Sequence, residues 1–298
     1  MKSLPVLFSG LLTLGFVAHA AETDLIADGA KVEVLGEGYT FTEGPAVDRD
    51  GNVFFTDQPN DRIVRYNAAD GSFSDWLKPA GRSNGTRFDH AGNLLACADE
   101  KNELWSISPD KKVTVLISDF DGKLLNGPND LWIRPDGNLY FTDPLYRRDY
   151  WKRDKAIQQP GRYVYFFDPN AKKATPVATD LKEPNGIIGT PDGKTLYVAD
   201  LGANKTYSYS VKPDGALENK TLFCEMGSDG MTLDAEGNVY LTGRGVTVFD
   251  KTGKKLTNIP IPEPWTGNVT FAGKERRLLF ITASKRVYGV QMRVKGAY

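Results

Sequence analysis

The chain has 298 residues, 40% hydrophobic and 25% charged, a globular composition with enough apolar material for a substantial core. Its 37 basic and 38 acidic residues nearly cancel, which argues against nucleic acid or anionic lipid as the main partner. There are only two histidines, His19 and His90, and two cysteines, Cys97 and Cys224, with no metal-binding spacing between them.

The first element is a leader. Lys2 supplies a positive start, Leu4 to Val17 is mostly apolar, and Ala18-His19-Ala20 is a small-x-small cleavage site, so residues 1–20 read as a signal peptide cut after Ala20. A membrane anchor is the weaker reading. Ser3, Pro5, Ser9, Gly10, Thr13 and Gly15 leave no apolar run of the roughly 20 residues a span needs. Export predicts a periplasmic or secreted protein with no membrane insertion in the mature chain. It also removes His19, so a zinc site built on several histidines is excluded and any Ser-His-Asp arrangement would need His90. In the oxidising compartment the cysteines are expected as buried, unpaired residues.

Lys31 to Leu35 (KVEVL) reads as a strand, and after it one pattern recurs. It appears as EGPAVDRDGNVFFTD from Glu43, NGTRFDHAGNLLACAD from Asn84, NGPNDLWIRPDGNLYFTD from Asn126, NGIIGTPDGKTLYVAD from Asn185 and DGMTLDAEGNVYLTG from Asp229. A sixth copy, NVTFAGKERRLLFITAS from Asn268, lacks the turn glycine but keeps the strand pair. The second strands end at Thr56, Cys97, Thr142, Ala199, Thr242 and Thr282, with spacings of 41, 45, 57, 43 and 40. A third alternating segment follows each pair: RIVRY, ELWSI, YVYFF, TYSYS, VTVF and RVYGV. Four-stranded units at this period predict an all-β, six-bladed β-propeller of antiparallel blades. The N-terminal strand is expected to complete the sixth blade and close the ring, making 21–298 a single domain.

A polar residue stands eight positions before each turn glycine: Glu43, Asn84, Asn129, Asn185 and Asp229. Asn268 shares the register. The inner strand of each blade lines the channel, so these six positions form a ring at one mouth. Two carboxylates and four carboxamides are hard oxygen donors, which suit calcium best; magnesium or manganese is possible and zinc less apt. Each residue alone is explained more often than not as a turn former at a loop-to-strand junction. Their common register, and the cost of burying Glu43 with Asp229 without a cation, favour a metal.

The longest insertion, residues 143–162, falls between the second and third strands of the third blade, on the face of the ring. It carries Tyr146, Tyr150 and Trp151 among five basic residues between Arg147 and Lys155. It reads first as a solvated loop; the alternative is a lid that brings Tyr146 to a substrate and favours acidic or oxyanionic molecules. Trp265, before Asn268, is a second candidate wall. His90 belongs to the opposite end as a surface turn residue, and Asp57, Asp99, Asp143 and Asp200 read as turn caps.

The E-G-P, N-D, P-N-G and D-G-M elements, each leading an inner strand, resemble the gluconolactonase and regucalcin (senescence marker protein) family of six-bladed calcium-dependent propellers, over essentially the whole mature chain. The resemblance implies a metal held by Glu43, Asn185 and Asp229, with Asn129 and Asp130 adjoining the substrate; Thr282 to Ser284 also fits. Two departures stand out. Gly127 occupies the place of an arginine associated with sugar binding in animal members, and the histidine pair of the more distant paraoxonases has no counterpart. The expected activity is hydrolysis of a small-molecule lactone, with a cation polarising the carbonyl and Asp229, or alternatively Asp130, assisting water. Asn129 and Asn84 would orient the ester oxygens, with Asn268, Tyr146 and Trp265 around them. Organophosphate hydrolysis and a noncatalytic, ligand-binding propeller are the alternatives, and the oligomeric state is left open.

Overall fold

The computed structural model describes residues 25–298, so the expected leader at 1–20 lies outside the described residues. Six four-stranded antiparallel sheets follow in chain order. Blade 1 is Thr42–Val47, Val53–Asp57, Arg62–Tyr66 and Phe73–Leu77. Blade 2 is Thr86–Phe88, Leu94–Ala98, Glu103–Ile107 and Val113–Ile117. Blade 3 is Leu131–Ile133, Leu139–Asp143, Tyr163–Asp168 and Lys173–Ala178. Blade 4 is Pro184–Gly189, Thr195–Asp200, Lys205–Val211 and Leu217–Cys224. Blade 5 is Met231–Leu233, Val239–Gly243, Gly245–Phe249 and Lys255–Ile259. Blade 6 is Asn268–Ala272, Leu278–Ala283 and Arg286–Gln291, completed by Glu33–Glu37.

Inner strands touch the inner strands of neighbouring blades all the way round, from blade 1 to blade 2 and back from blade 6 to blade 1. The ring closes because Glu33–Glu37 pairs antiparallel with Arg286–Gln291, as the sequence predicts. The strand starts two residues later than KVEVL and runs across Gly36, where the register shifts. Gly36 is needed there: a Cβ would lie 2.9 Å from the Phe73 ring.

The second strands are buried along almost their whole length because both faces meet another blade, which is why VFFTD, LLACA and VYLTG are apolar without clean alternation. Outer strands such as Val113–Ile117 are largely exposed. Between blades 6 and 1, Val53, Phe55 and Val64 pack on Ala272, Phe280 and Val287, with the Phe55 and Phe280 rings 5.8 Å apart. Truncating either ring to alanine would cost about 3–5 kcal/mol and loosen the closing seam.

The turn ends of the inner hairpins gather at the far mouth of the channel. A cavity of 640 Å³ there is walled by Phe54, Trp76, Phe88, Trp132 and Phe271 and has His90 on its rim. The C-terminal segment crosses this mouth: the Tyr298 hydroxyl bonds to the Gly189 carbonyl and accepts the Trp132 indole N–H at 3.0 Å. His90 is exposed, as expected, with Nε2 3.2 Å from the Arg134 carbonyl oxygen.

Candidate active site at the channel mouth

The six ring positions are set by contacts between blades. The Thr56 hydroxyl donates to the Asn84 carbonyl at 3.2 Å, Thr142 to Asn185 at 2.9 Å, and Thr242 to Gly267 at 2.8 Å, so second-strand threonines fix the start of the next inner strand. Two glycines make the approach possible. A Cβ on Gly44, whose φ is +45°, would lie 2.0 Å from the Asn84 carbonyl oxygen, and one on Gly230 would lie 2.0 Å from the Asn268 amide carbon. The E-G and D-G steps are therefore packing requirements as much as ligand signals.

Glu43, Asn84, Asn129, Asn185 and Asn268 are buried, while Asp229 is partly open to the channel. Glu43 Oε2 accepts the Gly44 N–H at 3.1 Å. Burial, reinforced by the nearby negative charge of Asp229, holds the Glu43 carboxyl well above its ordinary range. Burial also raises Asp229, against the indole N–H of Trp265, the charge of Arg148 and hydrogen bonding with Asn185 and Glu43. Trp265 Nε1 donates to Asp229 Oδ2 at 2.6 Å. Asn185 Nδ2 donates to the Tyr146 hydroxyl at 2.9 Å, which leaves Asn185 Oδ1 buried with no hydrogen-bond partner.

Two neighbouring carboxyl groups and an unpartnered carboxamide oxygen thus converge. That is the polar imbalance a hard cation would correct, because each group offers oxygen and none has a buried cationic partner in direct contact. Asn185 Oδ1 is the specific fit: a buried acceptor without a donor costs about 1–3 kcal/mol unless something occupies it.

Asp130 lies deeper, with Oδ1 accepting the Leu131 N–H at 2.9 Å and Oδ2 unpartnered. Burial lifts its carboxyl to about 6, opposed first by the charge of Arg87. The Asn84 and Asn129 side-chain amides have no hydrogen-bond partner among the described residues. Asn268 turns its Oδ1 to the Val269 N–H at 2.8 Å, and so caps its own strand.

The insertion is only in part the solvated loop of the first reading: Arg147, Asp149, Lys152 and Asp154 are exposed, but other residues anchor it. Leu145, Trp151 and Gln159 are buried, and Asn126 Oδ1 accepts the N–H groups of Gln158 and Gln159, both at 2.9 Å. Arg153 bonds to the Asn126 carbonyl at 2.7 Å, stands 3.5 Å from Asp99, and lies over the Trp151 ring at 3.7 Å. Gly127 makes room for it: a Cβ there would lie 2.6 Å from the Arg153 guanidinium. The segment is pinned across the ring.

Asp99 corrects the turn-cap reading at one of four positions. Asp57, Asp143 and Asp200 each accept two backbone N–H groups from the segment entering their own blade: Thr40 and Phe41, Asn126 and Gly127, Lys182 and Glu183. In blade 2, Asp61 takes the N–H groups of Ala80 and Arg82 instead. Asp99 is released to face Gln58 Nε2 at 3.0 Å and Arg153, and burial lifts its carboxyl to about 7 against the charges of Arg148 and Arg153. Sequence reasoning missed Asp99, Arg87, Arg148 and Arg153; only the density of basic residues in the insertion hinted at the last two.

Residues 41–285 match the family described as the SMP-30/gluconolactonase/LRE-like region. The gluconolactonase of Zymomonas mobilis is 26% identical, over 92% of this chain and 85% of that protein. A solved gluconolactonase structure from Xanthomonas campestris superposes with a TM-score of 0.85 at 29% identity, covering 92% of this chain and 93% of that one. The diisopropyl-fluorophosphatase of Loligo vulgaris is 26% identical over 80% of this chain and 84% of that protein.

Proposed function

Because the chain belongs to the SMP-30/gluconolactonase/LRE-like family, we propose that it is a metal-dependent hydrolase that opens a lactone at the channel mouth. The observation that carries the reading is the convergence of Glu43, Asp229 and the unpartnered Oδ1 of Asn185. A divalent cation held by these three, calcium by the hardness of the donors, would supply Lewis-acid polarisation of the lactone carbonyl.

The chain's own residues do the rest. Asp229, oriented by the Trp265 indole, takes the proton of the attacking water as its oxygen bonds to the carbonyl carbon; the ring C–O bond then breaks and the alcohol is reprotonated. Asp130 is the competing base, buried and with one free oxygen. Asn129 and Asn84 present side-chain amides to the substrate's ester oxygens. Tyr146 fixes the orientation of Asn185, and Trp265 and the pinned insertion wall the pocket and limit water. The leader directs this enzyme to the periplasm or the medium, a reading tested by N-terminal mass analysis of the exported protein.

The experiment is acid release from a panel of lactones and phosphotriesters, with calcium and after chelation. Calcium-dependent hydrolysis of a lactone is the expected result. Turnover of phosphotriesters alone would favour the organophosphate reading, which the similarity to a fluorophosphatase supports. No turnover of either class would leave a binding propeller.

A further inference from the structure

Of the five basic side chains between Arg147 and Lys155, Lys152 is exposed and three others have acceptors. Arg147 donates to the Lys155 carbonyl at 2.9 Å, Lys155 to the Asp149 carbonyl at 3.3 Å, and Arg153 is held by Asp99 and Asn126. Arg148 has no hydrogen bond or ion pair with any described residue, and its Nε is buried without a partner. Its guanidinium carbon lies 5.5 Å over the ring of Tyr146, whose hydroxyl is bonded to Asn185. The same charge is felt by Glu43, Asp229, Asp99 and Tyr150, so it stands among the carboxylates of the site without pairing with any of them.

A buried guanidinium donor with no acceptor is costly, and the cost is offset when a ligand brings the acceptor. The charges around it point to which acceptor. Asp99 is answered by Arg153, Asp130 by Arg87, and the pair Glu43 and Asp229 by the divalent cation of the proposed function. Arg148 is the positive charge left over. A planar guanidinium, steered by stacking on an aromatic ring, matches a carboxylate through two parallel N–H···O bonds.

We propose that Arg148 determines specificity by receiving a carboxylate carried by the lactone away from its reacting carbonyl, so that the natural substrate is an acidic lactone and not a neutral one. The proposal rests on the lactonase reading above.

The test compares D-glucarolactone with D-gluconolactone, which differ in bearing a carboxylate or a hydroxymethyl group, on the calcium-loaded enzyme. Wild type should favour the acidic lactone in kcat/KM, and Arg148→Gln should reduce that preference by roughly 10- to 100-fold, the range for one charge-assisted contact. Arg148→Lys, which keeps the charge without the fork, should recover part of it. Calorimetry with the open-chain acids glucarate and gluconate reads recognition without turnover: wild type should bind glucarate more tightly, and Arg148→Gln should lose the difference. Melting curves of both variants confirm folding. Equal loss on both lactones would assign Arg148 to the reaction centre and overturn the proposal, as would wild-type indifference between the two acids or binding of neither. Hydrolysis of neither lactone while glucarate is still preferred would sink the hydrolase reading and leave Arg148 as an acid-recognition residue.

Discussion

The indole of Trp265 donates to Oδ2 of Asp229 at 2.6 Å, across the gap between the loop entering blade 6 and the start of the inner strand of blade 5. The Ser284 hydroxyl donates to the Trp265 carbonyl at 3.0 Å, so the Thr-Ala-Ser element acts on the site by holding this loop. Among the influences that lower the Asp229 carboxyl, this hydrogen bond comes first. Trp265→Phe keeps an aromatic wall and deletes the donor. The folded-state pKa of Asp229 should then rise, since its anion loses a stabilising contact, and the acid limb of kcat/KM should move to higher pH. Activity should approach wild type well above the limb. A uniform loss at every pH would show instead that Trp265 serves only as a wall.

Asp229 and Asp130 separate as bases by isosteric substitution. Asp229→Asn preserves shape and one neutral oxygen, whereas Asp130→Asn touches only the neighbouring carboxylate. If Asp229 accepts the proton, its loss should lower kcat by roughly 10² to 10⁴ even at saturating calcium, and Asp130→Asn should cost clearly less. The reverse order at saturating metal would transfer the role to Asp130. The buried Asp130 carboxyl, lifted to about 6, would then place the acid limb near that value.

The sequence made the blades legible because one register repeats: every third segment read as a strand, from RIVRY to RVYGV, begins or ends within a residue of the observed one. The shared register of the six polar positions was legible for the same reason. Asp99 was not, since its contacts with Gln58 and Arg153 join segments far apart in the chain, and Arg148 was not, since nothing in its sequence neighbourhood marks it off from the other basic residues of the insertion. Asp99 shares its register with Asp57, Asp143 and Asp200, and only the capture of the Ala80 and Arg82 N–H groups by Asp61 sets it apart. Burial of the insertion was illegible because its clamp is Asn126, a residue the repeat marks only as the start of its third copy.

Cys97 lies in the second strand of blade 2 and Cys224 in the outer strand of blade 4, and both are free and buried. Burial raises both thiols, Cys224 to about 11 and Cys97 well above the ordinary thiol range, so the nucleophilic thiolate is scarce at neutral pH. A thiol reagent should find almost nothing in the native protein and two groups after denaturation without reductant. A count below two after denaturation would mean that a bridge forms between non-neighbouring blades.

Calcium binding should release protons. Burial and the charge of Asp229 raise Glu43, and burial raises Asp229, so without metal the fold keeps protons that free carboxyls would already have lost. The sign follows from linkage. A carboxyl whose pKa is raised in the folded state favours the fold while protonated, and that contribution disappears as pH rises through the folded value. Asp99 at about 7, with Asp130 and Asp143 at about 6, adds to the same slope. The metal-free protein should therefore lose stability between the ordinary carboxylate range and roughly pH 7. With calcium bound, the Glu43 and Asp229 share of that loss is removed, because ligation requires both to be ionised. The Tm difference between loaded and chelated protein should widen as pH rises over this range, with stabilisation of about 2.7 kcal/mol at a hundredfold excess over Kd. Calorimetry in two buffers of different ionisation enthalpy should show proton release that declines at higher pH. A Tm gap that stays constant, together with no proton release, would mean that calcium binds away from Glu43 and Asp229.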